Sequence, residues 1–277
     1  MTDPSLQNDL ETALRLAQKA DAISARRFRA ADLVVSTKPD MSPVSDADKA
    51  VEQAIRAAIE AERPGDAVLG EEFGTAGDST RQWIIDPIDG TKNYVRGVPV
   101  WATLIALAVD QVPVVGVVSA PALGKRWWAA TGLGAWTSDR MPVAAGTSEA
   151  VSESAASAPR RLRVSGVNAL ADASSSCSGL TRWEEAGQLD GYLALSRQVW
   201  RTRDYGDMWP YMMVAEGLVD IAGEHDLQVY DMAALVPIVE EAGGRFTSVA
   251  GEPGPWHHSA LATNGLLHDS VLRVLSS

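Results

Sequence analysis

Apolar residues recur at helical spacing near the start of the chain. Leu6, Leu10, Leu14 and Ala17, with Gln, Lys and Arg between them, predict an amphipathic helix from Leu6 to about Phe28. Val51, Ile55 and Ile59 predict a second, opened by Ser45, Asp46 and Asp48, which suit a helix start as caps and by the dipole, and closed by Arg63-Pro64-Gly65-Asp66. After that the period changes. Ala67 to Gly70, Trp83 to Ile85, Trp101 to Val109 and Val112 to Ser119 are short apolar, β-branched runs that predict strands. The last two read as a hairpin split by Asp110-Gln111, and Arg126 to Ala130 with Ala135-Trp136 reads as another, turning through Thr131-Gly132-Leu133-Gly134. The first half is thus predicted to hold a largely antiparallel sheet, with Gly74 to Thr80 a flexible loop able to move over a neighbouring site.

Residues 144–158, rich in Ala, Ser, Gly and Glu with no apolar period, read as a linker. We therefore expect an N-terminal α+β lobe over 1–145 and a C-terminal α/β lobe over 146–277. In the second half, strands are predicted at Arg161–Val167, Gln198–Arg203, Leu218–Ala222, Arg245–Val249 and Ala260–Ala262. Helices are predicted at Gly179–Gly187, from Gly206-Asp207 with Pro210 in the first turn, from Asp231 to Gly243-Gly244 with a kink at Pro237, and at Leu266–Leu275. Asp207 can be read as a plain N-cap, and Gly223-Glu224-His225-Asp226 as a loop. Strands alternating with helices imply a layered α/β arrangement.

Composition narrows the class. A net charge of −12 on 277 residues disfavours nucleic acid and anionic membranes as partners. The single cysteine, Cys177, cannot form an internal disulfide. No apolar run approaches the ~18 residues of a membrane span, and Met1-Thr2-Asp3-Pro4 lacks the basic start of a signal peptide, so a cytoplasmic protein is expected.

The candidate chemistry centres on Trp83-Ile84-Ile85-Asp86-Pro87-Ile88-Asp89-Gly90-Thr91-Lys92-Asn93. The apolar run is predicted to stop at Asp86-Pro87, placing that carboxylate at a strand end. Pro87 stiffens the link to Asp89, and Gly90-Thr91 offers bare N–H groups and a hydroxyl where a helical turn begins, a place suited to phosphate. Each Asp could instead merely cap its own turn. Glu71-Glu72 closing another apolar run, and Asp231 at a further junction, argue for more than turn chemistry. Oxygen ligands drawn from several segments favour a hard cation, Mg²⁺ before Zn²⁺. Gly132-Leu133-Gly134 is only half a dinucleotide fingerprint, without the third glycine or a following helix, and reads as a turn. His257 and His258, in a Gly/Pro-rich loop, read as surface residues.

These blocks, Gly70-Glu71-Glu72, Trp83 to Asn93, and Asp231-Met232-Ala233 with Glu240 to Gly244 behind it, resemble the inositol monophosphatase family of Mg²⁺-dependent phosphatases, from Leu10 to Leu275. The resemblance implies an αβαβα sandwich of the type shared with fructose-1,6-bisphosphatase, and a homodimer. It further implies that Glu71, Asp86 and the Ile88 carbonyl hold one Mg²⁺, that Asp86, Asp89 and Asp231 hold a second, and that a third binds weakly near Glu71. In this pattern Glu71 and Thr91, the latter oriented by Asp48, activate water, while Gly90 and Thr91 hold phosphate. Lys38 lies one residue from where the family carries a loop lysine and is left out of the site. Glu224 matches an acid facing the substrate's hydroxyls. Tyr205-Gly206-Asp207-Met208-Trp209 resembles the histidinol-phosphate phosphatase branch, in which Asp207 and Glu224 would neutralise a cationic alcohol and Trp209 or Tyr205 would stack on it. The expected substrate is then a small phosphate ester, histidinol phosphate ahead of inositol 1-phosphate. A second phosphate has no Lys/Arg cluster to meet it. A non-catalytic metal and phosphate binder on the same fold is the alternative outside enzymology, opposed by the full set of Asp48, Glu71, Asp86, Asp89, Thr91 and Asp231.

Overall fold

The structure is a computed structural model that describes residues 4–39, 41–139 and 157–276. The predicted linker, apart from its last two residues, and the lobe boundary lie outside the described residues. Helices α1 (Pro4–Arg27) and α2 (Asp46–Glu62) bury Leu10, Leu16, Val51, Ile55 and Ile59 together. Between them β1 (Val35–Thr37) and β2 (Pro43–Ser45) pair antiparallel. The helix start predicted at Ser45 is a capping box: Ser45 N donates to Asp48 Oδ2 at 2.8 Å, and Ser45 Oγ accepts from Ala47 N at 3.2 Å.

Next come β3 (Ala67–Gly70), β4 (Gly74–Ala76), β5 (Arg81–Asp89), α3 (Thr91–Arg96), β6 (Ala102–Val109), β7 (Val112–Ala120), β8 (Lys125–Ala130), β9 (Gly134–Asp139) and β10 (Arg160–Arg161). The strands form one sheet in the order β10-β9-β8-β7-β6-β5-β3-β4, antiparallel except for β3 against β5. Both predicted hairpins are present. Asp110 and Gln111 each take a positive φ, 49° and 65°, the backbone that a tight two-residue hairpin demands. Two expectations are corrected. Part of the supposed loop at Gly74 to Thr80 is the edge strand β4, whose backbone finds partners on β3. The strand expected over Arg161–Val167 is only β10, and it extends the first sheet, with Leu162 N donating to Ala135 O at 2.8 Å.

The remainder holds β11 (Ser174–Cys177), α4 (Leu180–Glu185), α5 (Leu189–Gln198), β12 (Arg201–Thr202), α6 (Trp209–Ala215), β13 (Ile221–His225), α7 (Val229–Met232), α8 (Leu235–Glu241), β14 (Arg245–Thr247), β15 (Ser259–Thr263) and α9 (His268–Leu275). The second sheet runs β12-β11-β13-β15-β14. Here β11 and α5 were not foreseen. The strand expected at Leu218–Ala222 is shifted to β13, so Glu224 stands on a strand and not in a loop. The long helix expected after Asp231 is two, broken at Ala233-Ala234, where the N–H that Pro237 lacks would have been received.

Five layers result: α1 and α2, the first sheet, α6 to α8, the second sheet, then α4, α5 and α9. The αβαβα expectation holds. The central core joins Ala106 and Val118 of the first sheet, Leu235 and Ile238 of α8, and Ala222, Phe246 and Ala260 of the second. α8 lies so close to β7 that a Cβ on Gly116 would fall 2.2 Å from Ala234 O, which leaves room for glycine alone. At its end, Glu241 accepts the N–H groups of Gly132 and Gly134, both at 2.8 Å. The Gly132-Leu133-Gly134 segment is therefore the turn it was read as.

Candidate active site

On a straight strand, residues three apart point to opposite faces. Between Asp86 and Asp89 the ladder slips: Asp86 faces Leu104 while Asp89 faces Ala102, so β5 carries one extra residue. The bulge turns both carboxylates to the same side. Pro87 sits where the ladder is interrupted and its missing N–H costs nothing. Its carbonyl accepts from Thr103 Oγ1 at 2.8 Å, and Ile88 N donates to Asp86 Oδ1 at 2.9 Å. The strand does not stop at Asp86, as the sequence suggested; it bends there and ends at Asp89.

Asp231 enters from α7, its Oδ2 accepting from Gln228 N at 2.7 Å. One oxygen each from Asp86, Asp89 and Asp231 lies within 4.8 Å of the others. Glu71, just past β3, stands beside this trio. Its Oε1 is 2.7 Å from Lys38 Nζ, which also reaches Glu72 Oε1 at 2.6 Å. Lys38 thus belongs to the site from which the sequence reading left it out, because the β1–β2 ladder carries it there. The loop bearing Glu71 is pinned from below. Buried Glu52 accepts from Glu72 N at 2.7 Å and Phe73 N at 3.2 Å, and a Cβ on Gly70 would collide with its carboxylate.

Thr91 opens α3. Its hydroxyl lies 3.2 Å from Asp48 Oδ1 and 3.0 Å from Ile88 O, so the expected Asp48–Thr91 pairing forms. Gly90, with φ of 83°, caps α3 without any side-chain bond, so the first-turn N–H groups keep that face open.

The α6 segment is bonded to β5 and α3 here. Met208 N donates to Asp89 Oδ2 at 2.7 Å, and Asn93 Nδ2 to Asp207 Oδ2 at 2.6 Å. Asp207 therefore does not cap α6, whose N-cap is Met208. Gly206 and Asp207 both take positive φ, 77° and 52°, and the reversal points the Asp207 carboxylate toward Gly90. A cavity of about 170 Å³ lies among Asp89, Asp207, Tyr211, Glu224, Leu227 and Asp231. Tyr205 and Trp209 do not line it; their rings meet edge-to-face at 5.8 Å.

So many buried carboxylates raise one another's pKa. Burial, then Glu71, Asp89 and Asp231, hold Asp86 well above the usual carboxylate range. Asp89 is likewise raised, by burial and then Asp207 and Asp231. Burial lifts Asp231 to about 6 and Glu71 to about 7, the latter despite Lys38. In the cavity, burial followed by Asp204 lifts Asp207 to about 6, and burial followed by Asp207 and Asp231 lifts Glu224 to about 8. Convergent hard oxygen donors that cannot all ionise side by side fit a divalent cation, which removes the repulsion that holds their protons on.

Known proteins can now be set beside this geometry. A sequence profile of the inositol monophosphatase family matches residues 5–276. Histidinol-phosphatase of Streptomyces coelicolor is 56% identical over 99% of this chain and 98% of its own, and histidinol-phosphatase of Mycobacterium tuberculosis is 53% identical over 98% of each. Among solved structures, the extragenic suppressor protein SuhB of Bartonella henselae superposes with a TM-score of 0.82 at 28% identity, over 98% of this chain and 99% of that one. The layered fold is shared with that structure, and the family and relatives make the chain a phosphoric monoester hydrolase. The chain belongs to the inositol monophosphatase family.

Proposed function

We propose that this protein is a Mg²⁺-dependent L-histidinol-phosphate phosphatase, which hydrolyses histidinol phosphate to histidinol and phosphate in histidine biosynthesis. The observation that carries the reading is the paired arrangement of the site, a carboxylate trio suited to metal adjoining a second acidic cavity lined by Asp207 and Glu224. The two relatives above 50% identity bear the same name over essentially their whole length.

Glu71, Asp86 and the Ile88 carbonyl would hold one Mg²⁺ and Asp86, Asp89 and Asp231 a second, with a weaker third near Glu71. The Ile88 carbonyl, engaged by Thr91, keeps a free lone pair for this. The cations supply Lewis acidity, lowering the pKa of the attacking water and neutralising charge on the phosphoryl and leaving oxygens. Thr91, held by Asp48, orients the water, and Glu71 takes its proton. The N–H groups of Gly90 and Thr91 hold the phosphoryl oxygens as charge develops. Lys38 steadies Glu71 and Glu72 in the ionised state. Asp207 and Glu224 attract the substrate's ammonium, whose arrival favours their ionised forms. A homodimer acting on a soluble substrate in the cytoplasm belongs to the same proposal and rests on the family resemblance; sedimentation in solution tests the dimer.

The deciding experiment is phosphate release from histidinol phosphate, inositol 1-phosphate and fructose 1,6-bisphosphate, each with Mg²⁺ and with chelator. We expect kcat/KM to favour histidinol phosphate by about a hundredfold, near 2.7 kcal/mol, and release to cease with chelator. Equal turnover of the three esters would refute the substrate and leave the metal chemistry standing.

A further inference from the structure

Tyr211 is the one polar residue of the cavity to which the reaction just described gives no part. It is the third residue of α6, only 2% exposed, and it lines the cavity with Asp207 and Glu224. Its hydroxyl is buried and has no hydrogen-bond partner among the described residues. A buried tyrosine hydroxyl ordinarily finds one. The ring packs at 6.1 Å from that of Phe246 in the central core, and the same residue borders the cavity. The hydroxyl feels the charges of Glu224, Asp89 and Asp231, yet bonds to none of them.

The other polar side chains around the cavity are carboxylates, which when ionised can only accept. Burial and these acids keep the proton on the phenol. With a cationic substrate bound and Glu224 ionised, Tyr211 is the donor that this lining offers. Histidinol carries two kinds of group beside its hydroxyl: an ammonium, which only donates, and a neutral imidazole, whose second nitrogen accepts. The carboxylates suit the first and the phenol the second.

We propose that Tyr211 is a specificity-determining residue whose O–H donates to the unprotonated nitrogen of the substrate's heteroaromatic ring, leaving Asp207 and Glu224 to the ammonium. This rests on the histidinol-phosphate reading and deepens it.

The test compares wild type and Tyr211→Phe on histidinol phosphate and on phenylalaninol phosphate, which keeps the ammonium and an aromatic ring but has no ring acceptor. Tyr211→Phe should lower kcat/KM for histidinol phosphate about ten- to hundredfold and leave phenylalaninol phosphate within about twofold. Its melting temperature should equal or exceed that of wild type, because the hydroxyl it loses has no partner in the free protein. Equal losses on both esters, or none on histidinol phosphate, would overturn the inference. Wild type alone gives a second check that no folding defect can obscure: less than about a threefold preference for histidinol phosphate over phenylalaninol phosphate also overturns it. If wild type preferred histidinol phosphate to inositol 1-phosphate but Tyr211→Phe changed nothing, only the role of Tyr211 would fall. If wild type showed no such preference, the substrate reading would fall and this inference with it.

Discussion

The bulge of β5 and the cavity beside β13 set the same problem and resolve it differently. Each gathers carboxylates where water is scarce, and in each the acids hold their protons more tightly than they would in solution. At the bulge, three oxygens within 4.8 Å leave space for an ion and little else. In the cavity, Asp207 and Glu224 border about 170 Å³, enough to admit part of an organic molecule. The first cluster calls for a metal and serves any phosphate ester. The second, on the proposed function, calls for a cationic substrate and would serve one kind. Catalysis and selectivity are then separable by mutation, although both depend on repulsion among buried acids.

The strongest way to break this contrast is Asp86→Asn, which removes the acid shared by both proposed metal sites. We expect kcat to fall at least about a thousandfold on every ester, roughly 4 kcal/mol, in steady-state assays with saturating Mg²⁺. Asp207→Asn acts on the other side. KM for histidinol phosphate should rise on the order of thirty- to a hundredfold, with kcat and the constants for inositol 1-phosphate within about threefold. Similar effects on the two esters would erase the distinction between the regions. Glu52→Gln touches neither cluster directly, but weakens the clamp on the loop bearing Glu71. A drop of about tenfold in activity with a higher Mg²⁺ requirement is expected, alongside a stability loss of about 1–3 kcal/mol in denaturant titration.

The smallest effect concerns pH. With folded pKa values of about 6 for Asp207 and Asp231, about 7 for Glu71 and about 8 for Glu224, all above their ordinary values, the native state binds more protons than the unfolded chain. Stability from these groups is full below pH 4 and is lost as pH rises to about 8. Metal-free protein should accordingly melt several degrees lower at pH 8 than at pH 5. Mg²⁺ should flatten most of that slope at the bulge, and histidinol should flatten the part due to Asp207 and Glu224. Calorimetry with chelator, with Mg²⁺ and with histidinol separates the two contributions.

Much of the first half of the chain was legible because its signals are local. The helix over Val51, Ile55 and Ile59 follows from periodicity, and the hairpin at Asp110-Gln111 from two apolar runs and a polar turn. The acidic blocks were visible as blocks, Glu71 just past β3, Asp86 and Asp89 in the last part of β5 and Asp231 in the first turn of α7. What escaped was nonlocal. Strand β11 reads Ser-Ser-Ser-Cys; its small residues are buried by neighbours on both sides, so no alternation marks it. The bulge could not be seen because Pro87 looks like a stop until its partner strand is known. Lys38 was left aside on a spacing of one residue, whereas a two-strand ladder fixes its reach. Tyr211 carries no signal in the sequence, since only the assembled cavity shows its hydroxyl without a partner among the described residues.

The bond from Met208 N to Asp89 Oδ2 has an evolutionary consequence. The peptide backbone makes it, so any residue but proline at that position would supply it. On the proposed function, its neighbour Asp207 would meet the substrate through a side chain, which a single codon change replaces. New leaving groups could therefore be tried at one residue while the next keeps the proposed metal-binding acid Asp89 in place, so that a change of diet need not begin with loss of the enzyme.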